Sequence, residues 1–154
     1  MTTTFTTANT ITRVTTTPVT VDPTDVVAAG PRPLWRAALA SGAVAAAATT
    51  AIAAVAGAAG VSFEVDGEPI PLLGFAQMTL LGAVLGLVIA GVCRRFAHPR
   101  ATFVRITVAL TAVSVVPDFA MSFDTASRIV LVFCHVTAAS IIVPVLARRL
   151  PAAR

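Results

Sequence analysis

Four long apolar runs dominate the chain, and a short polar connection separates each from the next. They are "RAALASGAVAAAATTAIAAVAGAAG" over about 36–60, "PLLGFAQMTLLGAVLGLVIAGVC" over 71–93, "ATFVRITVALTAVSVVPDFAM" over 101–121 and "TASRIVLVFCHVTAASIIVPVLA" over 125–147. A helix needs about 20 mostly apolar residues to cross a hydrocarbon layer about 30 Å thick, and every run reaches that length. The connections "EVDGEPIP", "RRFAHPR" and "SFD" carry turn residues. Connections so short favour antiparallel neighbours. The pattern predicts an all-α fold: an integral-membrane, up-down four-helix bundle over residues 34–154.

The first run is the least apolar, being mostly alanine. A signal peptide cleaved near "AVAGAAG" is the rival reading. The stretch is longer than a signal core of about 7–15 residues, and more than thirty residues precede it. It is therefore read as a retained helix. Residues 1–33 are different material: half of the first twenty-four residues are threonine, with prolines following and no helical period. They are read as a disordered tail.

Composition supports lipid as the solvent. Of 154 residues, 56% are hydrophobic and 12% charged, against about 25% charged in soluble domains. Mean hydropathy is +0.88. A chain this short cannot hide that much apolar surface in one soluble core. All eleven basic residues are arginines and the formal charge is +4. They flank apolar runs instead of sharing one soluble face, which argues against nucleic acid as a partner. Arg32, Arg36, Arg94, Arg95, Arg100, Arg148, Arg149 and Arg154 fall on one side of a four-span bundle; Glu64, Asp66, Glu68 and Arg128 fall on the other. The positive-inside rule puts the arginine-rich side, with both termini and Trp35, in the cytoplasm of a plasma-membrane protein.

Helix 3 carries the clearest polar stripe. Thr107, Thr111, Ser114 and Asp118 fall within an arc of about 60° at 100° per residue, with Arg105 opposite and free to snorkel. The hydroxyls either bond back to their own helix or join neighbouring helices. Asp118 follows Pro117, so it is an intramembrane carboxylate if the helix continues and a loop carboxylate if Pro117 ends it. On helix 4, Asp124 is an N-cap candidate and an i,i+4 partner for Arg128. His135 stands about 10 Å beyond Arg128 at 1.5 Å per residue. Gln77 on helix 2 and Asp118 on helix 3 lie near the same level, so Gln77, Asp118 and His135 form a candidate polar cluster in the outer half. An ionisable residue inside a membrane marks a functional site by default; the plainer alternative is a neutral histidine holding two helices in register.

Other chemistry is thinly represented. His98 is a membrane width from His135, and no second ligand stands at metal spacing on the same side; no metal or cofactor is expected. Cys93 and Cys134 are placed about 20 Å apart along the bundle axis, too far for a disulfide. Nucleotide-binding and nucleophile motifs do not appear. Gly82, Gly86 and Ala90 on helix 2, and Gly42, Ala46, Thr50 and Ala54 on helix 1, form small-xxx-small series. They are expected to pack helices 1 and 2 together, with self-association as the other use.

Together "PLWRA", "EVDGEPIPLLGFAQMTLLGA", "RATFVRITVALTAVSVVPD", "DTAS" and "HVTAASIIVPVLARRL" resemble a family of small actinobacterial membrane proteins described only as a domain of unknown function. The resemblance spans about Pro33 to Leu150. It implies a four-span envelope protein and supplies no activity. The expectation is a non-enzymatic accessory or interaction module, with the lipid bilayer as its partner and a second copy, in a homo-oligomer, or another membrane protein as candidates beside it. The alternative is a small transporter or proton-linked carrier using Asp118 and His135. A membrane enzyme comes third.

Overall fold

The structure is a computed structural model, and it describes residues 33–65, 67–121 and 123–153. Its elements are α1 (Leu34–Ala58), β1 (Glu64–Val65), β2 (Glu68–Pro69), α2 (Leu72–Cys93), α3 (Pro99–Ser114), α4 (Val116–Ala120) and α5 (Thr125–Ala147). Four helical spans, Leu34–Ala58, Leu72–Cys93, Pro99–Ala120 and Thr125–Ala147, are long and apolar enough to cross a membrane. The protein is an all-α four-helix bundle and a multi-pass membrane protein. The reading of the threonine-rich leader as disordered falls on residues outside those described, save Pro33.

Local chemistry explains where the helices begin and end. Pro33 and Pro71 precede α1 and α2, and Pro99 opens α3, because a missing N–H costs nothing in a first turn. The Asp124 carboxylate caps α5 by accepting from the N–H groups of Ala126 at 3.1 Å and Ser127 at 3.3 Å. α1 ends at Ala58, and two residues on, Gly60 takes a φ of +93°, in the left-handed region. There the Val61 N–H donates to the Ala56 carbonyl and the Gly60 N–H to the Gly57 carbonyl, both at 3.0 Å. These bonds satisfy carbonyls the helix leaves open.

α1 is the most enclosed helix. It packs on both α2 and α5, and α3 packs on α2 and α5 but not appreciably on α1. The buried side of α1 runs through Ala38, Ser41, Gly42, Ala45, Thr49 and Ala53. Small residues at these positions let backbones approach where lipid supplies no hydrophobic drive. A Cβ built on Gly42 would lie 2.8 Å from the Ala83 Cβ, so α1 and α2 nearly touch there. Further along, Thr49 and Thr79 join the same two helices through a 2.9 Å hydroxyl bond.

The core has two clusters. One, at the end where the described termini meet, holds Leu34, Cys93, Phe103, Leu146 and Leu150. The other, at the opposite end, holds Ala53, Phe63, Phe75, Phe123, Leu131 and Cys134. A two-residue antiparallel ladder, Glu64 opposite Pro69 and Val65 opposite Glu68, forms a hairpin over this second end. Gly67 turns it with φ +87°; Asp66 lies outside the described residues. Phe63 anchors the hairpin. Its N–H donates to the Ser127 hydroxyl at 3.1 Å, its carbonyl accepts from Ile70 at 3.0 Å, and its ring meets Phe75 edge-on at 5.2 Å. These contacts hold a φ of +49° that phenylalanine otherwise avoids.

Candidate functional site

α3 is fastened at its start and then leans away. Pro99, Phe103 and Thr107 are buried, and the Arg100 N–H donates to the Pro151 carbonyl at 3.3 Å. Beyond them Val108, Leu110 and Val113 are exposed. The chain docks again only at Asp118, in α4. Between these attachments the bundle opens into a cleft of about 730 Å³, lined by α2, α3, α4 and α5 with Thr49 of α1 at its floor. That volume lies within the range of small-molecule sites, about 300–1,000 Å³. Most of the wall is apolar, including Met78, Leu85, Leu110, Ala138 and Val143.

The polar end of the cleft arises from a break in the third span. α3 stops at Ser114, Val115 caps it, and α4 restarts with Pro117 in its first turn. The span thus continues past the proline, and Asp118 turns inward with its side chain 9% exposed. Its Oδ2 lies 3.5 Å from His135 Nδ1. That nitrogen is 2.9 Å from the Leu131 carbonyl oxygen. A carbonyl only accepts, so Nδ1 carries the hydrogen and donates it to Leu131. In the neutral ring this leaves Nε2 as the acceptor. Oδ2 of Asp118 is buried and receives no hydrogen bond.

Arg128 closes this corner without meeting the carboxylate. Its Nε donates to the Asp118 carbonyl at 2.9 Å and its Nη2 to the Phe123 carbonyl at 3.2 Å. Its guanidinium lies over the Phe119 ring, 5.3 Å from the centroid. The helix break frees backbone carbonyls, and Arg128 takes them up. The expected Arg128–Asp124 pair does not form, because Asp124 is committed to the cap. Hydrogen bonds from Ser127, through its side chain first and then its backbone N–H, and from the Ala126 N–H hold the Asp124 carboxyl below its ordinary range.

The stripe on α3 lines the cleft, but its hydroxyls are spent locally. Thr107 donates to Phe103 at 2.8 Å, Thr111 to Thr107 at 2.9 Å and Ser114 to Thr111 at 2.8 Å, all to carbonyls of their own helix. Arg105 is exposed, on the other side. Among the described residues lining the cleft, Asp118 is the one with a buried side-chain oxygen left without a hydrogen-bond partner.

The sequence-derived candidates separate here. Asp118 and His135 come together. Gln77 does not join them: it is exposed and lies off the cleft, because α2 turns Gly74, Phe75, Met78 and Thr79 toward the cleft and Gln77 outward. The packing residues also divide. Gly42 and Ala46 are buried on α1, and Ala90 is buried in the core of α2. Gly86 faces α5 instead of α1, with Leu146 Cδ1 3.4 Å from a built Cβ. Gly82 is on the cleft wall with nothing within 4 Å. Thr50 is half-buried and Ala54 exposed, so the α1 seam is rotated toward Ala45, Thr49 and Ala53. Cys93 and Cys134 are free, buried in opposite core clusters. Sequence reasoning missed the Arg128 clamp and the Phe63 anchor; neither has a motif to reveal it.

A family model described as a family of unknown function, DUF6069, matches residues 29–152 of the chain. No curated protein and no solved structure matches it.

Proposed function

The chain belongs to the DUF6069 family, and for this member we propose a non-enzymatic binding role: an interaction module that holds an apolar guest within the membrane. The observation that carries the proposal is the cleft between α2, α3, α4 and α5, of about 730 Å³, apolar along its walls and polar at one end. Supporting the non-enzymatic part, the nearby α3 hydroxyls are engaged with their own helix and both cysteines are buried. The plasma membrane of an actinobacterium is the setting, by the resemblance noted above. We read both termini as cytoplasmic; the support is that Arg36, Arg94, Arg95, Arg100, Arg148 and Arg149 gather at one end, against Arg128 alone at the other. The cleft's polar corner then lies in the outer leaflet. The exposed α2 face around Gln77 is left for a second copy or another membrane protein.

The test uses Gly82→Phe. A side chain at Gly82 meets nothing within 4 Å and enters the cleft, so it fills the space without displacing a helix. Protein purified from its native membrane carries an apolar molecule above the level of bulk lipid, detected by mass spectrometry of the extract, and Gly82→Phe at equal yield does not. A guest absent from both, or retained by Gly82→Phe, contradicts the reading.

One observation favours a second reading, a proton-linked carrier. Asp118 and His135 face each other at 3.5 Å beside a broken span, an arrangement that transporters use for coupling ions. Reconstituted protein would then move protons along with a solute, and Asp118→Asn would abolish that coupling.

A further inference from the structure

We propose that the guest is an amphiphile whose polar head is a protonated amine, seated against the Asp118 carboxylate. The proposal rests on the cleft being a binding site. It adds the chemistry of what is bound.

A carboxylate in an apolar setting is stabilised only when donors reach it. Asp118 is buried with Oδ2 unpartnered. The hydrogen bonds recorded for the donors on neighbouring side chains go elsewhere. His135 Nδ1–H points to the Leu131 carbonyl. Arg128 Nε and Nη2 point to the Asp118 and Phe123 carbonyls, with the flat of the guanidinium on Phe119. Thr111 and Ser114 donate to their own helix. Asp118 lines the cleft, so a donor carried by whatever occupies it meets this carboxylate.

The head follows from the acceptor, and the body follows from the walls. A carboxylate selects a donor, and a cationic donor makes a bond about twice as strong as a neutral one. A carboxylate head would oppose Asp118. Away from this corner the cleft is lined by hydrocarbon, so the rest of the guest is an alkyl or similarly apolar body without further donors to satisfy. Ammonium, hydroxyl and carboxylate heads on one chain length should thus bind in that order.

The experiment measures radiolabelled dodecylamine on full-length protein in phosphatidylcholine nanodiscs, with empty nanodiscs as the blank for partitioning. Unlabelled dodecylamine, dodecanol and dodecanoate compete. The expected ranking is amine, then alcohol, then carboxylate, with amine ahead of alcohol by about tenfold or more. Asp118→Asn should reduce amine binding to the level of the alcohol and leave alcohol binding within about threefold. The wild-type ranking stands on its own if that variant folds poorly. Equal binding of all heads, lost in Gly82→Phe, keeps the cleft and overturns the amine. A preference for dodecanoate overturns it as well. No saturable binding, or binding indifferent to Gly82→Phe, removes the cleft reading and the amine with it.

Discussion

Replacing Gly42 by alanine probes the contact on which the bundle is built. The new Cβ would stand 2.8 Å from the Ala83 Cβ, where carbon atoms settle about 3.5–4.0 Å apart. Both atoms are fixed to helix backbone, so no side chain can swing aside. α1 and α2 must separate locally by about 1 Å. Overpacking of this kind costs about 1–3 kcal/mol, and the better helix propensity of alanine returns up to about 1 kcal/mol. Taking the middle of the first range against the full return, a net loss of about 1 kcal/mol is expected. The assay is unfolding in mixed detergent micelles, followed by circular dichroism. Gly82→Ala is the control: its Cβ meets nothing within 4 Å, so it should be neutral or slightly stabilising. Ala83→Gly is the partner variant, because it removes the atom that is struck. In the double variant the two losses should fall short of their sum by about 1 kcal/mol or more. A Gly42→Ala protein as stable as wild type, or strict additivity with Ala83→Gly, refutes the reasoning.

Three further outcomes follow from other parts of the fold. Arg128→Ala strands the Asp118 and Phe123 carbonyls and should cost about 1–3 kcal/mol, read by the same unfolding assay; Arg128→Lys should restore only part of it, lacking the fork. Asp124 has a folded-state pKa below its ordinary value, so between the two values the unfolded chain binds more protons and stability falls as pH falls. Protection of the Ala126 and Ser127 amides should thus persist through about pH 4, the ordinary carboxylate range, and be lost only below it, as hydrogen exchange would show; loss at or above that range counts against the cap. Single cysteines at Glu64 and Ala97, in a background lacking Cys93 and Cys134, should respectively accept and escape an impermeant thiol reagent on intact cells; the reverse pattern inverts the proposed orientation.

What the sequence made legible depended on contrast around each helix. The spans could be read because apolar runs of the right length need no knowledge of neighbours. α3 also revealed its cleft side, since Thr107, Thr111 and Asp118 stand out against apolar residues and Arg105 marks the opposite side. α2 offers no such contrast. It is apolar on every side, so axial level placed Gln77 beside Asp118 while the angle around the helix, set by packing, turned it away. Gly82 was misplaced for the same reason: small residues say that something can come close without saying what does. The cleft itself has no motif. It lies between Phe103, which fastens the start of α3, and Arg128, which holds the Asp118 carbonyl of α4; the first contact depends on residues distant in sequence, and the second, though ten residues apart, follows no motif. Asp118 was ambiguous because Pro117 permits either a stop or a restart, and only the buried side chain in α4 decides between them.

The claim at the centre is that the space between α2, α3, α4 and α5 holds an amphiphile with its head at Asp118, and photo-crosslinking tests it most directly. A dodecylamine bearing a diazirine in its chain is irradiated with full-length protein in phosphatidylcholine nanodiscs, and labelled residues are mapped by mass spectrometry. Crosslinks are expected on cleft residues such as Met78, Leu110 and Ala138, competed away by unlabelled dodecylamine. Labels spread over exposed residues outside the cleft, such as Leu73, Leu81 and Val88, and indifferent to competition, would contradict it.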